Sequence, residues 1–379
     1  MIKKKKAYAL YRLPYSDTYT EIIQEEGSPE TFFSSCELNG RNGFALAPFA
    51  VSEDLPILFI LADRTVSGNV DDLPFLPDED IPDVKCFCAS YDSYASDFEV
   101  FHSKLKSGAY SKLVLSRCAV YESLETISPR TLFARACRFF PRMFVALVHT
   151  EHSGTWLAAT PEVLLDSCGK LWHTIALAGT MPLEECQEGF DNPPVPYCYG
   201  VSTGGIGEKM SGDSGADGIL WSVKNIDEQR YVSSYIKECV LRFTDDCREE
   251  GPYTARAGNV VHLRSDFTFT LPSCDDMGRL VDALHPTPAV CGVPKHEAFG
   301  FISSSETSPR GYYSGFMGPV GALGNTHLYV SLRCMRIDGR RYMLYAGGGL
   351  LPESNVESEW NETEAKMEAM RKCLAIKRI

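Results

Sequence analysis

The chain has 379 residues, 44% hydrophobic and 23% charged, an ordinary globular composition that excludes a disordered or collagen-like polymer. Its formal net charge is −13, from 37 Lys and Arg against 50 Asp and Glu, so no chain-wide basic footprint for nucleic acid exists. No apolar run approaches the roughly 18–20 residues of a membrane span; the best, Pro56–Ala62, reads as a buried strand.

The basic head of the chain runs at once into Arg12 and Pro14, a poor signal peptide, so a cytoplasmic protein is expected. The 14 cysteines are scattered from Cys36 to Cys373 with no CxxC pair. That spacing argues for reduced, mostly buried thiols rather than a zinc site or a disulfide framework. Residues 1–100 read as short strands and loops, including Phe44–Val51, then an acidic, Pro-rich stretch Asp71–Asp83, with no site signature. A helix follows at Ala95–Gly108 and a strand at Lys112–Tyr121. Next come a helix at Pro129–Phe140, a strand at Met143–Thr150, a turn at His152–Gly154 and a strand at Thr155–Thr160. Met181–Gly218 is rich in Gly, Pro, Ser and Asp without periodicity and reads as a long surface loop. Beyond it the pattern predicts a helix from Asn225 to Phe243, strands at Val261–Leu271, Leu328–Ile337 and Tyr342–Gly347, and a closing helix from Val356 to Ile376. Strands and helices alternate without a steady βαβ rhythm, which favours α+β with largely antiparallel sheet.

Several residues stand out chemically. In the closing helix Val356, Trp360, Thr363, Met367, Met370 and Leu374 form one apolar stripe. Glu359, Glu362 and Lys366 lie on a neighbouring face, either as a solvated acidic surface or as oxygen donors one turn apart for a hard cation. Glu228 continues the inward stripe of the preceding long helix, where a carboxylate needs a cation, a metal or an arginine beside it. Lys112 opens its strand and shares a face with Val114, Ser116 and Cys118. A lysine there is usually exposed; walled in by apolar groups it can serve as a base. Glu162, in ATPEVLLD, caps a turn or acts as a general acid held protonated by a partly apolar site. The run YAGGGLL can aim backbone N–H groups at an anion. Arg333 lies mid-strand among apolar residues, suited to a carboxylate partner. His285 has no second His or Cys at metal spacing, so a hydrogen-bonding role is expected of it.

Taken in order, KLVLSR, LAATPEVLL, IALAGT, KNIDEQRYV, LHPTPAVCGVPKHEAFGFI, SPRGYYSGFMGPVG, VSLRCMRI and LYAGGGLLPESNVESEWNETEAK resemble the chorismate-utilising enzymes across most of residues 110–370. The resemblance implies one α+β domain of two mostly antiparallel sheets packed together with helices outside. Residues 1–100 would be a variable part of that domain and residues 101–379 its catalytic region, with a loop at 181–220. It also implies magnesium: Glu228 and Glu362 would be direct ligands and Glu359 a nearby or water-mediated one. Arg333, Gly347 and Gly348 would bind the enolpyruvyl carboxylate of chorismate. Gly179 and Lys366 would lie near its ring carboxylate, and His285 would help line the pocket.

Lys112 stands where the anthranilate branch usually has Gln, and Ala178 where the aminodeoxychorismate branch often has Lys. Both favour water over ammonia, hence the isochorismate synthase branch, whose product feeds menaquinone and catechol siderophores. Lys112 would activate water and Glu162 would protonate the departing hydroxyl. Salicylate synthase, an anthranilate synthase large subunit and a chorismate-binding protein without catalysis stay open as alternatives. No amidotransferase, membrane or nucleic-acid partner is expected, and the chain would be a monomer or weak dimer. Three features depart from the family: Met181 after Thr180 where Arg is common, the long loop, and Gln229 where His is frequent.

Overall fold

Runs such as Phe144–Val148 show no polar side to water, and both faces of the strands they form are covered. In the computed structural model, which describes residues 7–376 other than 89–90, 183–220, 258–259, 274 and 322–324, Phe144, Ala146 and Val148 pack into one core while Val145 and Leu147 pack into another. Strand geometry sends successive side chains to opposite faces, so this split is that of a sheet buried on both sides.

The chain forms β1 (Ala7–Arg12), β2 (Thr18–Gln24), β3 (Glu30–Phe32), β4 (Gly43–Ala47), β5 (Ile57–Leu61), β6 (Arg64–Asn69), β7 (Val84–Cys88), α1 (Tyr91–Lys106) and β8 (Lys112–Ser123). It continues through α2 (Pro129–Phe139), β9 (Phe144–Thr150), β10 (Gly154–Thr160), β11 (Val163–Cys168), β12 (Leu171–Pro182), α3 (Val223–Leu241), β13 (Cys247–Ala257) and β14 (Val260–Thr270). The last part holds α4 (Asp276–Leu284), β15 (Gly292–Val293), α5 (Lys295–Ser305), β16 (Phe316–Val320), β17 (His327–Val330), β18 (Cys334–Asp338), β19 (Arg341–Leu350) and α6 (Val356–Cys373).

One sheet runs β15-β8-β19-β18-β10-β9-β1-β2-β6, with β7 also on β8; the other runs β13-β14-β12-β11-β17-β16-β4-β5-β3. The neighbouring strands pair antiparallel, as expected for an α+β chain. The core between the sheets takes Ala7, Phe44, Phe144, Trp156 and Tyr329; the outer faces are covered by α2 and α6 on one side and by α3 and α4 on the other. The first hundred residues are integral to this: β1 lies between β9 and β2, and β4 between β16 and β5.

The closing helix buries its expected stripe, with Thr363, Met367, Met370 and Leu374 each at most 1% exposed. Asn355 caps it, its side chain accepting from the N–H groups of Glu357 and Ser358 at 3.0 and 3.2 Å. Arg117 of β8 locks the helix on the sheet, donating to Thr363 at 2.7 Å and lying 3.6 Å from the centre of the Trp360 ring.

Two expectations need correction. The expected strand Leu328–Ile337 is two strands, β17 in one sheet and β18 in the other, because the chain turns at Arg333 (φ 46°). The thiols are less buried than expected: of the eleven described cysteines, all free, five are buried, while Cys36, Cys86, Cys88 and Cys168 are exposed. Of the expected long loop, Met181 and Pro182 extend β12, and 183–220 lie outside the described residues.

Candidate active site

The chain passes between the sheets at Pro161–Glu162, from β10 to β11, and returns at Ser331–Arg333, from β17 to β18. The two crossings run side by side: Val330 N–H donates to the Glu162 carbonyl at 2.9 Å, and Ala159 N–H to the Arg333 carbonyl at 3.1 Å. This brings Glu162 and Arg333, 171 positions apart in sequence, into one cleft, lined also by Gly179, Glu228, Gly347 and Lys366.

Glu162 is buried, and its Oε1 accepts a long hydrogen bond from Thr287 Oγ1 at 3.4 Å. Burial raises its pKa to about 7, against the opposing pull of Lys112, so the carboxyl carries a proton for much of its time near neutrality. Arg333 is equally buried, which holds its guanidinium down to about 10, still charged at neutral pH. Where a carboxylate partner was expected, its donor goes to His262 Nε2 at 3.2 Å. That fixes the imidazole: Nε2 accepts, so Nδ1 bears the hydrogen and donates to the Gly179 carbonyl at 3.1 Å. Burial, with Arg333 and Lys366 nearby, keeps His262 neutral by holding its pKa well below the ordinary value.

Gly179 sits at a bulge where the β12–β14 register shifts between Ala178 and Thr180. Its φ of +68° and the Asn225 carbonyl, 2.9 Å from where a Cβ would stand, demand glycine. Its N–H donates to Glu228 Oε2 at 3.2 Å. Gln229 steadies the bulge: its side-chain oxygen accepts from Ala178 N–H at 2.9 Å and its amide donates to the Ala176 carbonyl at 3.2 Å. The residue found in place of the family's frequent His therefore ties α3 to β12.

The inward Glu228 meets Lys112, which is fully buried; Nζ to Oε1 is 2.9 Å, off the direction of a good hydrogen bond, so the contact is chiefly Coulombic. Burial pushes Glu228 up, but Lys112, Lys366 and Lys224 outweigh it and hold the carboxyl below its usual range. On α6, Glu359 lies buried instead of on a solvated face. Its Oε1 pairs with Lys224 of α3, and its buried Oε2 has no hydrogen-bond partner. Burial first, and the charge of Glu362 second, raise its pKa to about 7. Glu362 pairs with Lys366 at 2.6 Å, and Lys366 also donates to the Gly347 carbonyl at 2.9 Å.

The glycine run explains itself here. A Cβ at Gly348 would stand 3.2 Å from Glu359 Oε2 and 3.6 Å from Glu362 Oε1; one at Gly349 would stand 2.2 Å from Glu228 Oε1. All three carboxylates thus press on consecutive glycines. Hard oxygens, one of them orphaned, suit magnesium. Among the described residues no three His, Cys, Asp or Glu close into a cage, and each carboxylate faces a lysine instead.

His285 does not line the cleft. Its ring packs edge-on against Phe316, Nε2 donates to the Pro48 carbonyl at 3.1 Å, and burial lowers its pKa to about 4, so it is a neutral packing residue. The wall expected from it comes from Ala289 and Val290, further along the same segment. His262, Thr287, Lys224 and Gly349 are the site residues that sequence reasoning passed over.

A family model described as chorismate binding enzyme matches residues 78–372. Isochorismate synthase DhbC of Bacillus subtilis (strain 168) is 28% identical over 300 residues, 76% of this chain and 69% of that protein. Isochorismate synthase EntC of Escherichia coli (strain K12) is 26% identical over 260 residues, 68% of this chain and 61% of that one. The crystal structure of a putative 2,3-dihydroxybenzoate-specific isochorismate synthase from Bacillus anthracis superposes with a TM-score of 0.79 at 22% identity, covering 99% of this chain and 98% of that one. The chain belongs to the chorismate binding enzyme family.

Proposed function

We propose that this chain is an isochorismate synthase that converts chorismate to isochorismate with water as the nucleophile. One observation carries the reading: Glu162, a buried carboxyl lining the cleft whose pKa burial raises to about 7, lies close enough to the fully buried amine Lys112 to feel its charge. Acting as the base, Lys112 Nζ takes a proton from water as the oxygen bonds to ring C2. The double bonds shift, the C4–O bond breaks, and Glu162 gives its proton to the departing hydroxyl. One water enters and one leaves, so the product is an isomer of chorismate.

Arg333, whose guanidinium donates to His262 and forms no ion pair with a carboxylate among the described residues, and the backbone at Gly347–Gly348 receive the enolpyruvyl carboxylate. Gly179 and Lys366 face the ring carboxylate. Glu228 and Glu362 would hold a magnesium ion, with Glu359 beside them. Once bound, the ion supplies positive charge opposite the ring carboxylate. The names of DhbC and EntC support the reaction. Water as nucleophile leaves no task for an amidotransferase subunit, and a cytoplasmic location belongs to the same reading.

The test is chromatography of products from purified protein and chorismate, with and without Mg²⁺ and ammonium. A magnesium-dependent, ammonium-independent isomer of chorismate is the expected result. Anthranilate, salicylate with pyruvate, or unchanged chorismate would each overturn it.

A further inference from the structure

Three carboxylates around the cleft are matched by three lysines, one each. A divalent cation entering that cluster competes with the ammonium groups for the carboxylates. The three lysines differ in freedom. Lys112 is 0% exposed and enclosed by its strand. Lys366 is 16% exposed and anchored to the Gly347 carbonyl as well as to Glu362. Lys224 is 24% exposed, stands in the first turn of α3, and its ammonium has Glu359 as its one partner among the described residues. Glu359 is also the carboxylate with an oxygen already free of hydrogen bonds. The long, flexible lysine stem lets the charge swing to water without moving the helix.

We propose that Lys224 is the exchangeable counter-ion of the metal site: its ammonium holds Glu359 while the site is metal-free and leaves for solvent when a divalent cation binds. The proposal rests on the reading of Glu228, Glu359 and Glu362 as a magnesium site. It makes Lys224 a determinant of metal affinity, since binding must be favourable enough to replace an internal cation.

Calorimetric titration of the full-length chain with Mg²⁺ alone, for wild type, Lys224→Met and Lys224→Arg, tests it. Removing a competing unit charge at contact distance lowers the Kd for Mg²⁺ by about tenfold or more in Lys224→Met. Lys224→Arg, which keeps the charge, stays near wild type. Without metal, Lys224→Met melts below wild type because Glu359 has lost its counter-charge, and saturating Mg²⁺ closes the gap. Lys224→Gln gives the same comparison should Lys224→Met not fold. Unchanged or weaker Mg²⁺ binding in the neutral variants, or a melting gap that persists at saturating Mg²⁺, would overturn the role of Lys224 alone. Absence of Mg²⁺ binding by wild type, with and without chorismate, would overturn the metal site and this proposal together. Isomer formation in the product assay is then scored separately.

Discussion

Lys112→Gln separates the roles assigned to the buried amine. The substitution removes the partner of Glu228, in a pair 2.9 Å apart with side chains 0% and 12% exposed. Removing one member of a buried pair costs about 3–5 kcal/mol. Glu228 keeps its bond from Gly179 N–H at 3.2 Å, and the Gln amide remains within reach, which places the loss at about 3 kcal/mol. For catalysis, loss of a general base costs about 10²–10⁴ in rate, or about 3–5.5 kcal/mol of barrier. A further signature comes from Glu162. After burial, Lys112 is the largest influence on that carboxyl, and it acts to lower the pKa. Without Lys112 the Glu162 pKa rises further, so the alkaline limb of the residual kcat/KM moves to higher pH. The assay is kcat/KM for chorismate consumption from pH 5 to 9 at saturating Mg²⁺, with circular dichroism to establish folding. A folded variant within about tenfold of wild type would refute the base assignment, and an unmoved alkaline limb would refute the electrostatic link to Glu162.

In wild type, the acid must be protonated, so kcat/KM falls about tenfold per pH unit above the Glu162 pKa of about 7, and Glu162→Gln loses that limb with most of the rate; a flat profile through pH 8 would contradict it. Arg333→Met removes the buried cation proposed to bind the enolpyruvyl carboxylate and raises the KM for chorismate by about 10- to 100-fold, as measured by initial rates. An unchanged KM would remove Arg333 from the binding site. Gly349→Ala places a methyl 2.2 Å from Glu228 Oε1 and 2.9 Å from Lys112 Cε, so the Lys112–Glu228 pair must part. Turnover then falls by about a hundredfold or more, and a fully active Gly349→Ala would show that the pair is not needed in that geometry.

The order of strands and helices made an α+β, largely antiparallel chain legible, the two packed sheets followed from the family resemblance, and periodicity reported burial for the closing helix. The stripe of α6 points where the structure puts it, whereas β9, apolar along Phe144–Val148, is buried on both faces and carries no polar alternation. The break at Ser331–Arg333 was not legible, because spacing does not say which sheet a strand joins and no Gly or Pro interrupts Leu328–Ile337. Glu359 was read as one of two possibilities for the same reason: spacing along a helix gives a face but not what covers it. His262 left a faint signal. His262, Arg264 and Asp266 alternate along β14 on one face and are all buried, a polar series where an apolar one would be ordinary. His285 misled in the opposite sense. It lies in a distinctive motif, yet the segment turns its ring toward Pro48 and offers Thr287, Ala289 and Val290 to the cleft side.

The most direct test of water as the nucleophile is turnover of chorismate in water enriched in oxygen-18, with the product resolved by chromatography and mass spectrometry. With water as the nucleophile, the product is an isomer of chorismate carrying one heavy oxygen at ring C2, formed only with Glu162 and Lys112 intact. An isomer without the label, or an aminated product when ammonium is supplied, would contradict it.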